Sequence, residues 1–189
     1  MIMPQRLAVI AHGPTRSTAK AAFGGGDELI RPKGVRPLRG RVERWASGPE
    51  PACVSTTSRL GGDPQVLDDL RGCDFGSWSG RTLSEMSAAE PFGLAEWLED
   101  PAATPHGGES LLQLIGRVGS VVDEYAWPEG LSIAVVGPLV ARAIAVHALS
   151  VAAESIFRID VSPLGRVLLS RATSGWRLQA LDRRLSSAS

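Results

Sequence analysis

Apolar positions along this chain fall into short unbroken runs and into helical spacings, and the two predict different elements. Leu7, Ala8, Val9 and Ile10 are consecutive, the pattern of a strand buried on both faces, placed at about residues 6–11. "PACVS" (51–55) and "LSIAVVG" (131–137) read as a second and a third buried strand. "FRIDV" (157–161), "RVLLSRA" (166–172) and "WRLQAL" (176–181) finish the chain as strands.

Helical spacing predicts the other elements. Val35, Leu38, Val42 and Trp45 in "VRPLRGRVERWA" lie at intervals of three and four, an amphipathic helix interrupted near its start by Pro37. "FGLAEWLEDP" places Leu94, Trp97 and Leu98 on one face, with Pro101 just past its end. Leu111, Leu114, Ile115, Val118, Val121 and Val122 follow one face of a longer helix, with Glu109 and Ser110 where the first turn favours an acid and a cap. "PLVARAIAVHALSVAA" continues from the third strand as a buried helix, with Pro138 in its first turn. Strands and helices alternate, so the expected fold class is α/β: a three-layer α/β/α sandwich with a mainly parallel central sheet. Residues 1–189 are read as a single domain with about 182–189 as a frayed tail.

Composition narrows the function classes. Twenty basic and twenty acidic residues cancel, so no global field favours nucleic acid or a membrane surface. No apolar run approaches a membrane span or a signal peptide. Cys53 and Cys73 read as free thiols of a reducing compartment, and the expected location is cytoplasmic. The three histidines, His12, His106 and His147, lack the close pairing of a metal site. "FGGGDEL" (23–29) lacks the Lys-Ser/Thr ending of a phosphate loop and reads as a flexible lid or linker. No metal and no cofactor is implied.

His12 follows the first strand, at the edge where open α/β sheets place their chemistry. It reads as a nucleophile, as a group with another role in the site, or as a relic hydrogen-bonded in a cleft. His106, in "PHGGES", either lines the mouth of that cleft or makes a turn contact. His147, inside an apolar helix, reads as a satisfied core or interface histidine.

A strand ending in His12-Gly13, a strand ending near Ser55 and Arg59, "DFGSWSGRTLSEM" (74–86), "GGES" (107–110), and an apolar strand running into a helix occur in that order. This order resembles the histidine phosphatase superfamily, the phosphoglycerate mutase-like proteins, over Leu7 to Leu181. The resemblance implies a nucleophilic histidine that carries the phosphoryl group, two arginines and a second histidine that grip the phosphate, and an acid that protonates the leaving oxygen. It assigns the nucleophile to His12 and the second arginine to Arg59. The first arginine's position is Ala11, the acid's is Gly72 and the second histidine's is Gly137. Trp78 falls beside the family's active-site mouth.

Each charge-assisted bond to phosphate contributes on the order of 1.5–3 kcal/mol, and a general acid about 10²–10⁴-fold. Efficient family chemistry is therefore not expected. The leading reading is a reassigned small-molecule cleft, binding a ligand or catalysing a different step, with His12, Arg59 and Glu109 as catalytic candidates. Arg16, Ser55, Trp78, His106 and Arg142 are the ligand-binding candidates. A weak phosphomonoesterase working through His12 is the second reading. A non-catalytic scaffold, as homodimer or partner subunit, is the third.

Overall fold

The computed structural model describes residues 4–24, 35–173 and 175–182. The glycine-rich stretch read as a lid lies largely outside them, and so does the tail beyond 182. Among the described residues six strands form one sheet, ordered β3-β2-β4-β1-β5-β6. β1 (Gln5–Ala11) lies at its centre, and α1 (Arg16–Ala19) is a single turn just beyond it. β2 (Arg44–Ser47), α2 (Pro51–Arg59) and the two-residue β3 (Gln65–Val66) follow. α3 (Leu83–Ala89) and α4 (Pro91–Glu99) precede α5 (Leu111–Glu124). β4 (Gly130–Val136) runs into α6 (Pro138–Leu149). β5 (Arg166–Ala172) and β6 (Gly175–Asp182) close the sheet.

β1, β2, β3 and β4 are parallel; β5 is antiparallel to β1, and β6 to β5. Leu7 faces Ser132 on one side and Leu169 on the other. The alternation of β1 divides the core, as a period of two requires. Leu7, Val9 and Ala11 join Leu114, Val118, Val140 and Ile144 of α5 and α6. Ala8 and Ile10 join Cys53 and Leu60 of the α2 layer. This is the expected three-layer arrangement.

Three assignments are corrected. Residues 35–43 form no helix; Val35, Leu38, Val42 and Trp45 pack against the α2-side core from irregular chain and from β2. Pro37 and Gly40, which has φ +106, oppose helical backbone there. "PACVS" is not a strand but the start of α2, with Pro51 in the first turn. The hydroxyls of Thr56, Thr57 and Ser58 donate to the carbonyls four residues back at 2.6, 2.9 and 3.2 Å, so a run expected to resist the helix is satisfied within it. "FRIDV" also forms no strand: Ala153–Arg158 is a 3-10 turn. The β5–β6 hairpin takes the sheet edge, while Phe157 from that turn and Ile159 and Val161 from the irregular chain after it pack on the core.

Candidate functional site

The carboxyl ends of β1, β2 and β4 define one edge of the sheet. His12 stands on it, 3% exposed. Its backbone N–H donates to Val136 at 2.8 Å, which continues the β1–β4 pairing past the strand end. Its Nδ1 lies 2.8 Å from the Gly13 carbonyl. A carbonyl only accepts, so Nδ1 carries the proton and Nε2 is the basic nitrogen. Gly13 N–H donates to Thr56 Oγ1 at 2.9 Å, which ties the strand end to α2. Burial lowers the His12 pKa, opposed by the Gly13 carbonyl and the Glu50 charge. The ring is therefore neutral at neutral pH.

Glu50 is the residue the sequence reading missed. It stands at the N-cap of α2, two residues past Gly48, and its side chain does not cap the helix. Oε1 accepts the Gly72 N–H at 2.5 Å. Oε2 is buried away from solvent. A Cβ at Gly48 would meet Oε2 at 2.6 Å, and one at Gly72 would meet Oε1 at 3.3 Å. The carboxylate thus occupies space that side chains at 48 and 72 would take. The Cys53 thiol is pushed well up, first by burial and then by this carboxylate. The only available signal was local: Pro51 as a helix-starting residue would have moved Glu50 to the sheet edge.

The remaining candidates are dispersed. Ser55 lies on α2 with Oγ 3.4 Å from the Ala52 carbonyl. Arg59, expected near a strand end, is the exposed last residue of α2, about 12 Å along the helix from its start at 1.5 Å per residue. The strand before it ends at Ser47 instead. Arg16 is exposed on α1. Arg142 lies one turn into α6, the helix that Gly137 begins; its Nη2 is 3.4 Å from Asp160 Oδ1, and its Nε is buried without a partner.

Glu109 is held by Arg117, with Nε to Oε1 at 2.8 Å and Nη2 to Oε2 at 2.6 Å. The same guanidinium donates to the carbonyls of Asp69, Arg71 and Gly72 at 2.8, 3.1 and 3.3 Å. It therefore fastens the loop that presents Gly72 to α5. The placement of Trp78 at the mouth is corrected, because the residue is fully buried and its Nε1 donates to Glu90 at 3.1 Å.

His106 is buried against the rings of Trp78 and Phe75, with centroids 5.2 and 5.8 Å away. Its Nδ1 accepts from Gly108 N–H at 3.0 Å, so Nε2 carries the proton, and that atom is unpartnered. Burial lowers its pKa, against a raising effect of Asp74. His147 is satisfied, with Nε2 2.8 Å from Asp123 Oδ2. Among the described residues no three His, Cys, Asp or Glu converge as a metal site, and no helix is long and apolar enough to cross a membrane.

Comparison with known proteins places this geometry. A family model described as the histidine phosphatase superfamily, branch 1, matches residues 7–183. A bifunctional protein of Mycobacterium tuberculosis is 31% identical over 129 residues, 61% of this chain and 35% of that protein. A glucosyl-3-phosphoglycerate phosphatase of Mycolicibacterium vanbaalenii is 29% identical over 133 residues, 64% of this chain and 59% of that protein. The chain thus matches about a third to three fifths of the length of these relatives. The solved structure of a mycobacterial glucosyl-3-phosphoglycerate phosphatase with VO3 superposes with a TM-score of 0.76 at 22% identity, covering 95% of this chain and 99% of that one. A putative alpha-ribazole-5'-P phosphatase of Escherichia coli gives 0.79 at 15% identity, covering 98% and 100%. At such identities the structural likeness is one of fold.

Proposed function

The chain belongs to the histidine phosphatase superfamily, and on that premise we propose that its cleft is reassigned from phosphomonoester hydrolysis to a small molecule that carries no phosphate dianion. One observation carries the reading: Arg59, the arginine assigned to the clamp, is exposed at the far end of α2 and not at the sheet edge that holds His12. Around it, positions 11, 72 and 137 hold Ala, Gly and Gly. A phosphate brought to His12 meets fewer cationic donors than the family's chemistry requires. The missing clamp removes further charge-assisted bonds, each on the order of 1.5–3 kcal/mol.

Hydrolysis of an aryl phosphate by the wild type and by His12→Ala, from pH 5 to 8, tests the reading. It expects no turnover above the variant. Clear turnover that vanishes in His12→Ala refutes it and favours the second reading, a weak phosphomonoesterase acting through a phosphohistidine. That alternative is supported by the His12 tautomer, since Nε2 keeps its lone pair for attack.

A further inference from the structure

We propose that copies of this protein associate head to tail: the outer face of α4 on one copy, headed by Phe92, docks on the arginine-bearing chain 35–43 of the next. The inference goes beyond the reading of the cleft and does not depend on it. The zero net charge of the chain conceals a segregation. Residues 82–116 hold six acids and no lysine or arginine, while residues 35–44 hold four arginines and one acid, Glu43. The fold sets the arginines outward. Val35, Leu38 and Val42 pack on the α2-side core, and Leu38 N–H donates to the Leu60 carbonyl at 2.9 Å. Arg36, Arg39 and Arg41 between them are exposed, and exposed Arg59 beside Leu60 adds a fourth guanidinium. Glu43 pairs with Arg41 at 2.8 Å, and Asp63 follows α2 in sequence. Among the described residues Arg36, Arg39 and Arg59 enter no ion pair.

The opposite surface is α4. Leu94 and Trp97 form its buried face, so Phe92, Glu96 and Glu99, at intervals of four and three, share the outer one. All three are exposed, Phe92 by 90%. Among the described residues Glu96 and Glu99 enter no ion pair. An aromatic side chain left almost wholly in water is stabilised by whatever covers it. The arginine surface supplies what this face lacks. Guanidinium groups lie over an aromatic ring and pair with carboxylates, and exposed Pro37 with half-buried Leu38 offers the ring apolar contact. A second copy is the occupant because each molecule carries both halves of the match. One molecule cannot join them itself. The arginine segment belongs to the layer of Ala8 and Ile10, and α4 to the layer of Leu7 and Val9, across the sheet. The contact is therefore heterologous, and every copy added leaves one free face at each end.

Sedimentation velocity of the full chain over a range of protein concentrations tests this. Species larger than a dimer are expected at about 0.02 M NaCl, with association weakened roughly tenfold or more at about 0.5 M, where exposed charges are screened. Two double variants each remove one face: Arg36→Glu with Arg39→Glu, and Phe92→Ser with Glu96→Lys. Each alone is expected to be monomeric. Mixed in equal amounts they are expected to form a 1:1 heterodimer and nothing larger, because each supplies the face the other lacks. Binding in the mixture also shows that both are folded. The milder Arg39→Ala and Phe92→Ala should each weaken self-association about tenfold, the loss of one hot-spot contact. A wild type that stays monomeric at low salt overturns the proposal, as does a dimer indifferent to salt. Association unchanged in both alanine variants, or a mixture that stays monomeric while both double variants keep the wild-type Tm, overturns it equally.

Discussion

Arg117→Met is expected to destabilise the protein by about 3–5 kcal/mol, the cost of breaking a buried ion pair from one side. The side chains of Arg117 and Glu109 are only 11% and 13% exposed, so the stranded carboxylate is poorly rescued by water. Two bonds to Glu109 are lost, together with the three that hold the carbonyls of Asp69, Arg71 and Gly72. For a chain of this size, each kcal/mol shifts Tm by roughly 2–4 °C, so a fall of about 6–20 °C is expected. Urea unfolding and a thermal scan of the single variant and of Arg117→Met/Glu109→Gln give the measurement. The double variant leaves no buried charge and should recover at least about 1 kcal/mol. A loss below about 1 kcal/mol in Arg117→Met, or a double variant less stable than the single, refutes the reasoning and frees Glu109 for a role in the cleft.

Gly76→Ala is expected to cost about 2 kcal/mol or more, because Gly76 has φ +47 and an added Cβ would lie 2.1 Å from the His106 carbonyl; a urea midpoint equal to wild type rules this out. Burial holds His12 and His106 below their ordinary value, so the unfolded chain binds more protons than the folded one as pH falls below about 6.5. Stability is then full above that pH and declines below it, and His12→Asn and His106→Asn each flatten the decline in urea midpoints; an unaltered pH dependence in both refutes the assignment. Neither thiol reacts readily in the folded protein, since Cys53 is buried and Cys73 is pushed up to about 12 by burial and the Glu109 charge. Ellman's reagent should label both only in denaturant, and fast native labelling of either contradicts this.

The elements legible in the sequence were those whose pattern and caps agree. In α5 the apolar spacing coincides with a Ser110–Gln113 capping box, and in α6 Pro138 marks the start of a run whose buried face includes Val140, Ala141 and Ile144. Between residues 35 and 59 the same signals misled. Apolar residues at helical spacing were apolar because they cover the α2-side core, not because they turn with a helix. A short apolar run with Ser and Thr is open to both strand and helix, and Pro51 decided it. Of the site, His12 was legible from the strand that carries it. Glu50 was not, because a lone acid between Pro49 and Pro51 belongs to no motif. Only the fold brings it to the edge where His12 stands.

The central position of β1 also dictates an order of assembly. Both of its neighbours come from the far end of the chain, since Leu7 pairs with Ser132 and with Leu169. On a ribosome adding roughly 5–20 residues per second, the apolar strand "RLAVIA" waits on the order of ten seconds or more for the partners that cover it. During that interval it offers an unpaired hydrophobic edge to any other chain. Contacts this remote in sequence also slow refolding in dilute solution. The strand that carries the histidine is therefore made well before both of its sheet partners and enclosed only once they arrive, and yield at high expression should depend on how well chaperones shield it.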